Sequence, residues 1–150
     1  MFTHKKIDIL LIVPHYPVKN GLIWKAIDYR FHSPGVLSLA SYINAHNFNA
    51  AILDCNLEQI AEARFNEIFE KRYAGTSIPY FGISSSTQTI NQALRIAKLL
   101  KKNRPEAKII LGGAHPSALP EYVLKNDSVD IVVIGEGEET LLKILKGDDL

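Results

Sequence analysis

Apolar residues along this chain fall into five short runs, joined by stretches in which they recur every three or four positions. Positions 7–13 (Ile7, Asp8, Ile9, Leu10, Leu11, Ile12, Val13) are almost unbroken aliphatic residues, the pattern of a central parallel strand covered on both faces. Positions 49–54, 80–84, 107–111 and 129–134 carry the same kind of run. The intervening stretches predict helices. Ser33 and Pro34 supply an N-cap hydroxyl and an N1 proline, and Val36, Leu37, Leu39, Ala40 and Ile43 follow at helical spacing, with Asn47 as a left-handed stop. Leu57, Ile60, Ala61, Ile68 and Phe69 mark a second helix to about Lys71. Thr87 or Thr89 can cap a third, carrying Ile90, Ala93, Leu94, Ala97 and Leu100, which ends before Arg104 and Pro105. A short helix is expected over 120–125, and a last one from Glu138 to Lys146 with its glutamates at the favourable end of the dipole. Five β-α units in a row predict an α/β fold: a doubly wound five-stranded parallel sheet, order 2-1-3-4-5, with right-handed crossovers and helices on both faces.

That order gathers the turns after the strands on one sheet edge, where such folds bind ligands. The candidates are Pro14, His15 and Tyr16; Ser84, Ser85, Ser86 and Thr87; Gly112 and Gly113 with His115, Pro116 and Ser117; and Gly135, Glu136 and Gly137. The glycine pair fits either close approach by a bulky group or a tight turn. The hydroxyl run fits ligand contact or simple capping. Glu136 and Glu138 can accept bonds from ligand amides, or be a solvated residue and a helix cap. Together, small residues at the ends of strands three and four outline a slot between sheet and helix, and Gly113→Trp is expected to fill it. The connection from Pro14 to Ser33, with Pro17, Gly21, Trp24, Tyr29 and Phe31, is long for a βα loop. It is either functional or a flap packed by its own aromatics.

Composition narrows the class. A chain of 150 residues with 47% hydrophobic and 22% charged content is sized for one domain. A net charge of +1 makes no electrostatic case for nucleic acid or an acidic membrane. No run approaches the ~20 apolar residues of a membrane span. The start, Met1 to Lys6, leads into a strand rather than a signal peptide. The single Cys55 suits a reducing cytoplasm, the expected location. No G-x-G-x-x-G follows strand one, which argues against a dinucleotide site although Asp54 ends strand two. Val13, Pro14, Ser84 and Gly135 stand where a phosphoryl-receiver domain needs its acids and lysine, a flavodoxin phosphate loop is missing, and there is no G-x-S-x-G elbow.

Three segments then carry a resemblance: Pro34-Gly35-Val36-Leu37-Ser38-Leu39-Ala40-Ser41-Tyr42; Gly112-Gly113-Ala114-His115-Pro116-Ser117 with Pro120-Glu121; and positions 129–141 with Gly135-Glu136-Gly137-Glu138-Glu139-Thr140-Leu141. In that order and spacing the chain resembles the N-terminal cobalamin (B12)-binding domain of the B12-dependent radical SAM enzymes. The resemblance implies a flavodoxin-like sheet with the corrin ring over its carboxyl edge and the dimethylbenzimidazole tail between sheet and helices. It implies that Ser84 to Thr87 and Gly112-Gly113 line the tail slot. His115, Pro116, Ser117, Gly135, Glu136 and Gly137 would then border the corrin, with Pro14, His15 and Tyr16 near its lower face. Corrinoid proteins that ligate cobalt by histidine use D-x-H-x-x-G. Around His15 the aspartate and glycine positions hold Val13 and Val18, so a base-off cobalamin without a histidine below is expected and no residue is assigned as a metal ligand. One cysteine cannot supply the C-x3-C-x2-C of a radical SAM domain. The chain, residues 1–150, is therefore expected to be the separated N-terminal part of a longer enzyme, not catalytic alone. Its partner would be a C-terminal radical SAM domain of the same polypeptide, with S-adenosylmethionine, a 4Fe-4S cluster and a small-molecule substrate. In such an enzyme methylcobalamin passes a methyl group to a substrate radical. The other reading is a degenerate domain that keeps the fold as a sensor or interaction module.

Overall fold

The computed structural model describes residues 6–16 and 33–148. The expected loop between Pro14 and Ser33 falls mostly outside the described residues, as do Asp149 and Leu150. Within them the chain runs β1 (Ile9–Val13), α1 (Pro34–Ala45), β2 (Ala50–Asp54), α2 (Glu62–Tyr73), β3 (Tyr80–Ser84), α3 (Ile90–Asn103), β4 (Lys108–Gly112), α4 (Ala114–Ala118), α5 (Pro120–Leu124), β5 (Ile131–Val132) and α6 (Glu138–Lys146). The strands form one parallel sheet in the order β2-β1-β3-β4-β5, as the β-α alternation predicts.

The pleat sends alternate residues to opposite faces. Leu10, Ile12, Phe81, Ile83, Ile109 and Leu111 pack with Phe65 and Phe69 of α2, with Ala93, Ile96, Ala97 and Leu100 of α3, and with Val123 of α5. Ile9, Leu11 and Ile110 face the other way, onto Val36, Ala40 and Ile43 of α1 and Leu141, Leu142 and Ile144 of α6. Both faces being covered explains the near-continuous apolar strands.

Local chemistry moves several boundaries. α2 starts at Glu62, not near Leu57, because Asp54 Oδ1 accepts the amides of Asn56 and Leu57 at 3.1 and 2.9 Å and Gln59 turns at φ 53°. That Asx turn competes with the first helical turn. Asn47 takes the left-handed stop at φ 65°. Ser33 sits at the N-cap before Pro34 but makes no side-chain cap bond. Thr89 occupies the N-cap of α3, yet its hydroxyl turns back to accept the Ser86 amide at 3.0 Å. α4 is an unexpected helical turn, which the apparent loop residues Ala114 to Ala118 form directly after Gly113.

β5 is two residues long rather than the expected 129–134, but its neighbours extend the pairing: the Asp130 amide donates to Ile109 and the Val133 amide to Leu111, both at 2.9 Å. The Asp130 carboxylate also accepts the Ile109 amide at 2.8 Å and Lys101 Nζ at 2.8 Å. Burial pushes this carboxyl up, but the Ile109 amide, Lys101 and Lys108 outweigh it and hold it below its ordinary 3.8. A depressed carboxylate stabilises the fold fully above the unfolded value and loses that contribution as pH falls through the folded one. Asp130→Asn is therefore expected to lower stability at neutral pH and to flatten its fall below about pH 4, measured as urea midpoint against pH. A parallel, unflattened curve would remove Asp130 from the acid response.

Candidate functional site

The carboxyl edge of the sheet opens into a cavity of about 170 Å³ on the α1/α6 face. Its shape follows from the register. Leu11, Gly82 and Ile110 lie on one rung, since Leu11 pairs with Gly82 and Gly82 with Ile110. Gly82 has no side chain between these two large aliphatic residues, and Leu11 leans across it to form the inner end of the cavity floor. One pleat further toward the edge, Ser84 pairs with Gly112, so the floor continues outward about 6–7 Å, two residues at ~3.3 Å each. Gly35, Val36 and Leu39 of α1 form one wall. Val133, Gly135, Glu136, Gly137, Glu138 and Leu141, from the β5–α6 turn and α6, form the other. Ser38 Oγ donates to Glu138 Oε1 at 2.9 Å and ties α1 to the start of α6.

The glycines of β3 and β4 border this space in different ways, and of Gly82, Gly112 and Gly113 only Gly112 faces open room. A Cβ on Gly82 would lie 2.8 Å from Leu11 Cδ2, whereas one on Gly112 would meet Val133 at an ordinary 3.9 Å. Gly113 lines the cavity, but a Cβ there would lie 2.6 Å from the Ser85 carbonyl oxygen and 3.0 Å from its nitrogen. Its φ of +103° is one that only glycine adopts easily. Gly113→Trp would therefore break this turn before it filled the slot, which corrects the expectation for that variant.

Of the sequence candidates, Ser84, Gly112, Gly113, Gly135, Glu136 and Gly137 meet in the cavity wall. Ser85, Ser86, Thr87, His115, Pro116 and Ser117 lie beside it, bonded among the turns. Ser86 closes on Thr89. His115 is buried, with Nδ1 3.3 Å from Thr87 Oγ1 and its ring in a T-shaped contact with Tyr122. Ser117 Oγ accepts the Gly135 amide at 3.0 Å, pinning the β5–α6 turn to α4. The Ser85 hydroxyl and His115 Nε2 are buried without a protein partner among the described residues. Pro14, His15 and Tyr16 follow β1 outside the cavity wall, and the Tyr16 amide donates to Asn56 Oδ1 at 3.1 Å. Gly82, Leu39 and Val133 were not singled out from the sequence, although a glycine inside an apolar strand is the known mark of close approach by another group.

Cys55 is buried, and burial, with Asp54 and Glu58 nearby, pushes its thiol up to about 12. It is therefore a poor ligand or nucleophile. Among the described residues no cluster of three or more His, Cys, Asp or Glu could hold a metal ion, and no helix is long and apolar enough to cross a membrane.

The volume of the cavity is close to the roughly 150 Å³ of an apolar cavity that takes up benzene. Its floor has open room above Gly112, while Leu11 covers Gly82.

Known proteins share this fold. An uncharacterized methyltransferase of Pyrococcus horikoshii is 25% identical over 94% of this chain and 29% of its own length. The anaerobic magnesium-protoporphyrin IX monomethyl ester cyclase of Rubrivivax gelatinosus is 27% identical over 76% of this chain and 20% of its own length. The chain thus spans less than a third of either relative. Among solved structures, the radical S-adenosylmethionine methyltransferase TsrM from Kitasatospora setae superposes with a TM-score of 0.73 at 17% identity, covering 94% of this chain and 26% of that one. The cobalamin-dependent S-adenosylmethionine radical enzyme OxsB superposes at 0.68, also at 17% identity, over 96% of this chain and 19% of that one. The resemblance read from the three motif segments holds, and so does the flavodoxin-like sheet. The model of the B12 binding domain matches residues 22–145, and the chain belongs to that family.

Proposed function

We propose that this chain holds cobalamin base-off, with the nucleotide tail in the slot, as the cofactor module of a radical SAM methyltransferase or a related radical enzyme. The observation that carries the reading is the cavity at the carboxyl edge of the sheet, which runs between α1 and the β5–α6 turn past Ser84 and Gly112. Gly112 admits a flat ring, Leu39, Val133 and Leu141 cover it, and Ser84 offers one hydroxyl. Glu136 and the loop from Gly135 to Gly137 stand at the rim, where the corrin's amide groups would lie. Cobalamin supplies a cobalt–carbon bond whose methyl group can be handed to a substrate. What this chain contributes is to orient the cofactor and keep water from its tail. Val13 occupies the position of the aspartate that would orient a cobalt-ligating histidine, so His15 is not assigned beneath the metal. The names of the matched structures, radical S-adenosylmethionine enzymes, support a partner radical SAM domain in the same polypeptide that uses S-adenosylmethionine; the 4Fe-4S cluster of that domain is part of the proposal.

Titrating the chain with hydroxocobalamin tests this. The expected result is retained cobalt, a shift of the visible spectrum to the base-off form, and a Tm raised by roughly 5–10 °C at a hundredfold excess over Kd. His15→Ala should leave the bound spectrum unchanged. No retained cobalt and an unchanged Tm would instead favour the degenerate sensor or interaction module, and a spectrum altered in His15→Ala would put that histidine under the cobalt.

A further inference from the structure

Corrinoids share a ring and differ in the base that ends the nucleotide tail: a dimethylated benzimidazole in cobalamin, a purine in some analogues, none in cobinamide. Resting on the function just proposed, the walls of the slot bear on which of these the chain accepts. Leu11, Val36, Leu39, Ile110, Val133 and Leu141 make its floor and sides. Four backbone groups of the wall are already bonded within the protein. The Gly112 carbonyl accepts the Ser85 amide at 2.9 Å, the Gly137 carbonyl accepts the Leu141 amide at 2.8 Å, and the Gly113 carbonyl accepts the Ser117 amide at 3.0 Å. The Gly135 amide donates to Ser117 Oγ. Ser84 is the only hydroxyl among the described residues of the wall, and the acids Glu136 and Glu138 stand at the start of α6, Glu138 already accepting from Ser38.

We propose that this slot selects the corrinoid by its base, accepting dimethylbenzimidazole and discriminating against purines, with Leu39, Ile110 and Val133 as the selecting residues. The two bases are of similar size, so volume does not separate them and polarity does. Dimethylbenzimidazole presents hydrocarbon edges and two methyl groups, which gain by leaving water, and one free ring nitrogen, which one hydroxyl can serve. Adenine adds an exocyclic amine and further ring nitrogens. In this slot they lose water without finding partners, and an unpaired buried polar group is costly. A mainly apolar pocket rejects such an isostere by about a hundredfold at most, so the expected discrimination is ten- to a hundredfold.

The test titrates the whole chain with hydroxocobalamin, its adenine-based analogue and cobinamide, reading Kd from the visible spectrum. The expected order is cobalamin tightest, the adenine analogue at least tenfold weaker, and cobinamide weaker than cobalamin. Val133→Thr, which keeps the shape and adds a hydroxyl to the wall, should narrow the cobalamin-to-adenine ratio at least threefold. Equal Kd for the two bases, with cobinamide weak, overturns the selection and leaves the tail in the slot. Equal Kd for all three takes the tail out of the slot. No binding by any corrinoid overturns the proposed function itself. An unchanged ratio in Val133→Thr, in a variant that still binds cobalamin, overturns the assignment of selection to this wall.

Discussion

Gly112→Leu is expected to weaken cobalamin binding at least a hundredfold while leaving the chain folded. The two halves of that expectation have separate causes. Gly112 is outside the left-handed backbone region, and a Cβ there meets only Val133 at 3.9 Å, so a side chain can be added without strain. It then projects into a cavity of only about 170 Å³, into space the tail needs. A hundredfold loss is about 2.7 kcal/mol, well within what filling one wall of such a slot can remove. The urea midpoint should move by the equivalent of less than about 1 kcal/mol, since new apolar contacts replace open space. Cobalt retention and visible spectra measure the first half, and circular dichroism through a urea titration the second. If the folded variant binds cobalamin as tightly as the parent, the tail lies elsewhere and the slot is not its site.

Sequence patterns exposed the sheet more completely than the site. The five apolar runs fixed the strands because burial on both faces leaves few polar residues to confuse the period, and one-edge turns follow from strand order. The wall residues Ser84, Gly112, Gly113, Gly135, Glu136 and Gly137 were legible because they follow neighbouring strands and the strand order gathers those turns on one edge, although each alone also fits a tight turn or a cap. Gly82 was not, since its effect depends on having Leu11 and Ile110 beside it on the same rung, and that is a fact of register, not of sequence distance. Leu39 and Val133 read as ordinary core positions for the same reason: an apolar wall and an apolar core share one pattern. The start of α2 and the turn of α4 were missed where side-chain to backbone bonds, as at Asp54, or a single unusual φ, as at Gly113, override helical spacing. Ser85 and His115 were also candidates, yet they are buried outside the wall, a choice made by packing.

Gly113→Ala should behave unlike any change at its neighbour, with a loss of stability on the order of 3–5 kcal/mol and little selectivity for the bound state. The backbone at Gly113 has φ 103° and ψ −172°, a region essentially reserved for glycine, where another residue carries about 1–3 kcal/mol of strain. The added methyl also lies 2.6 Å from the Ser85 carbonyl oxygen and 3.0 Å from the Ser85 nitrogen. Neither atom can yield easily, because the Ser85 amide donates to the Gly112 carbonyl at 2.9 Å and the Ser85 carbonyl faces the His115 amide at 3.4 Å. Relieving the clash means parting the turn after β3 from the turn after β4, so a further 1–3 kcal/mol of overpacking is expected. Against the 5–15 kcal/mol of a typical domain, that is a large share. The discriminating measurement is the pair Gly112→Ala and Gly113→Ala under urea. Gly112→Ala should stay within about 1 kcal/mol of the parent, and its neighbour should lose several times that. Equal midpoints would mean that the two turns are free to separate, and with them the rim of the slot.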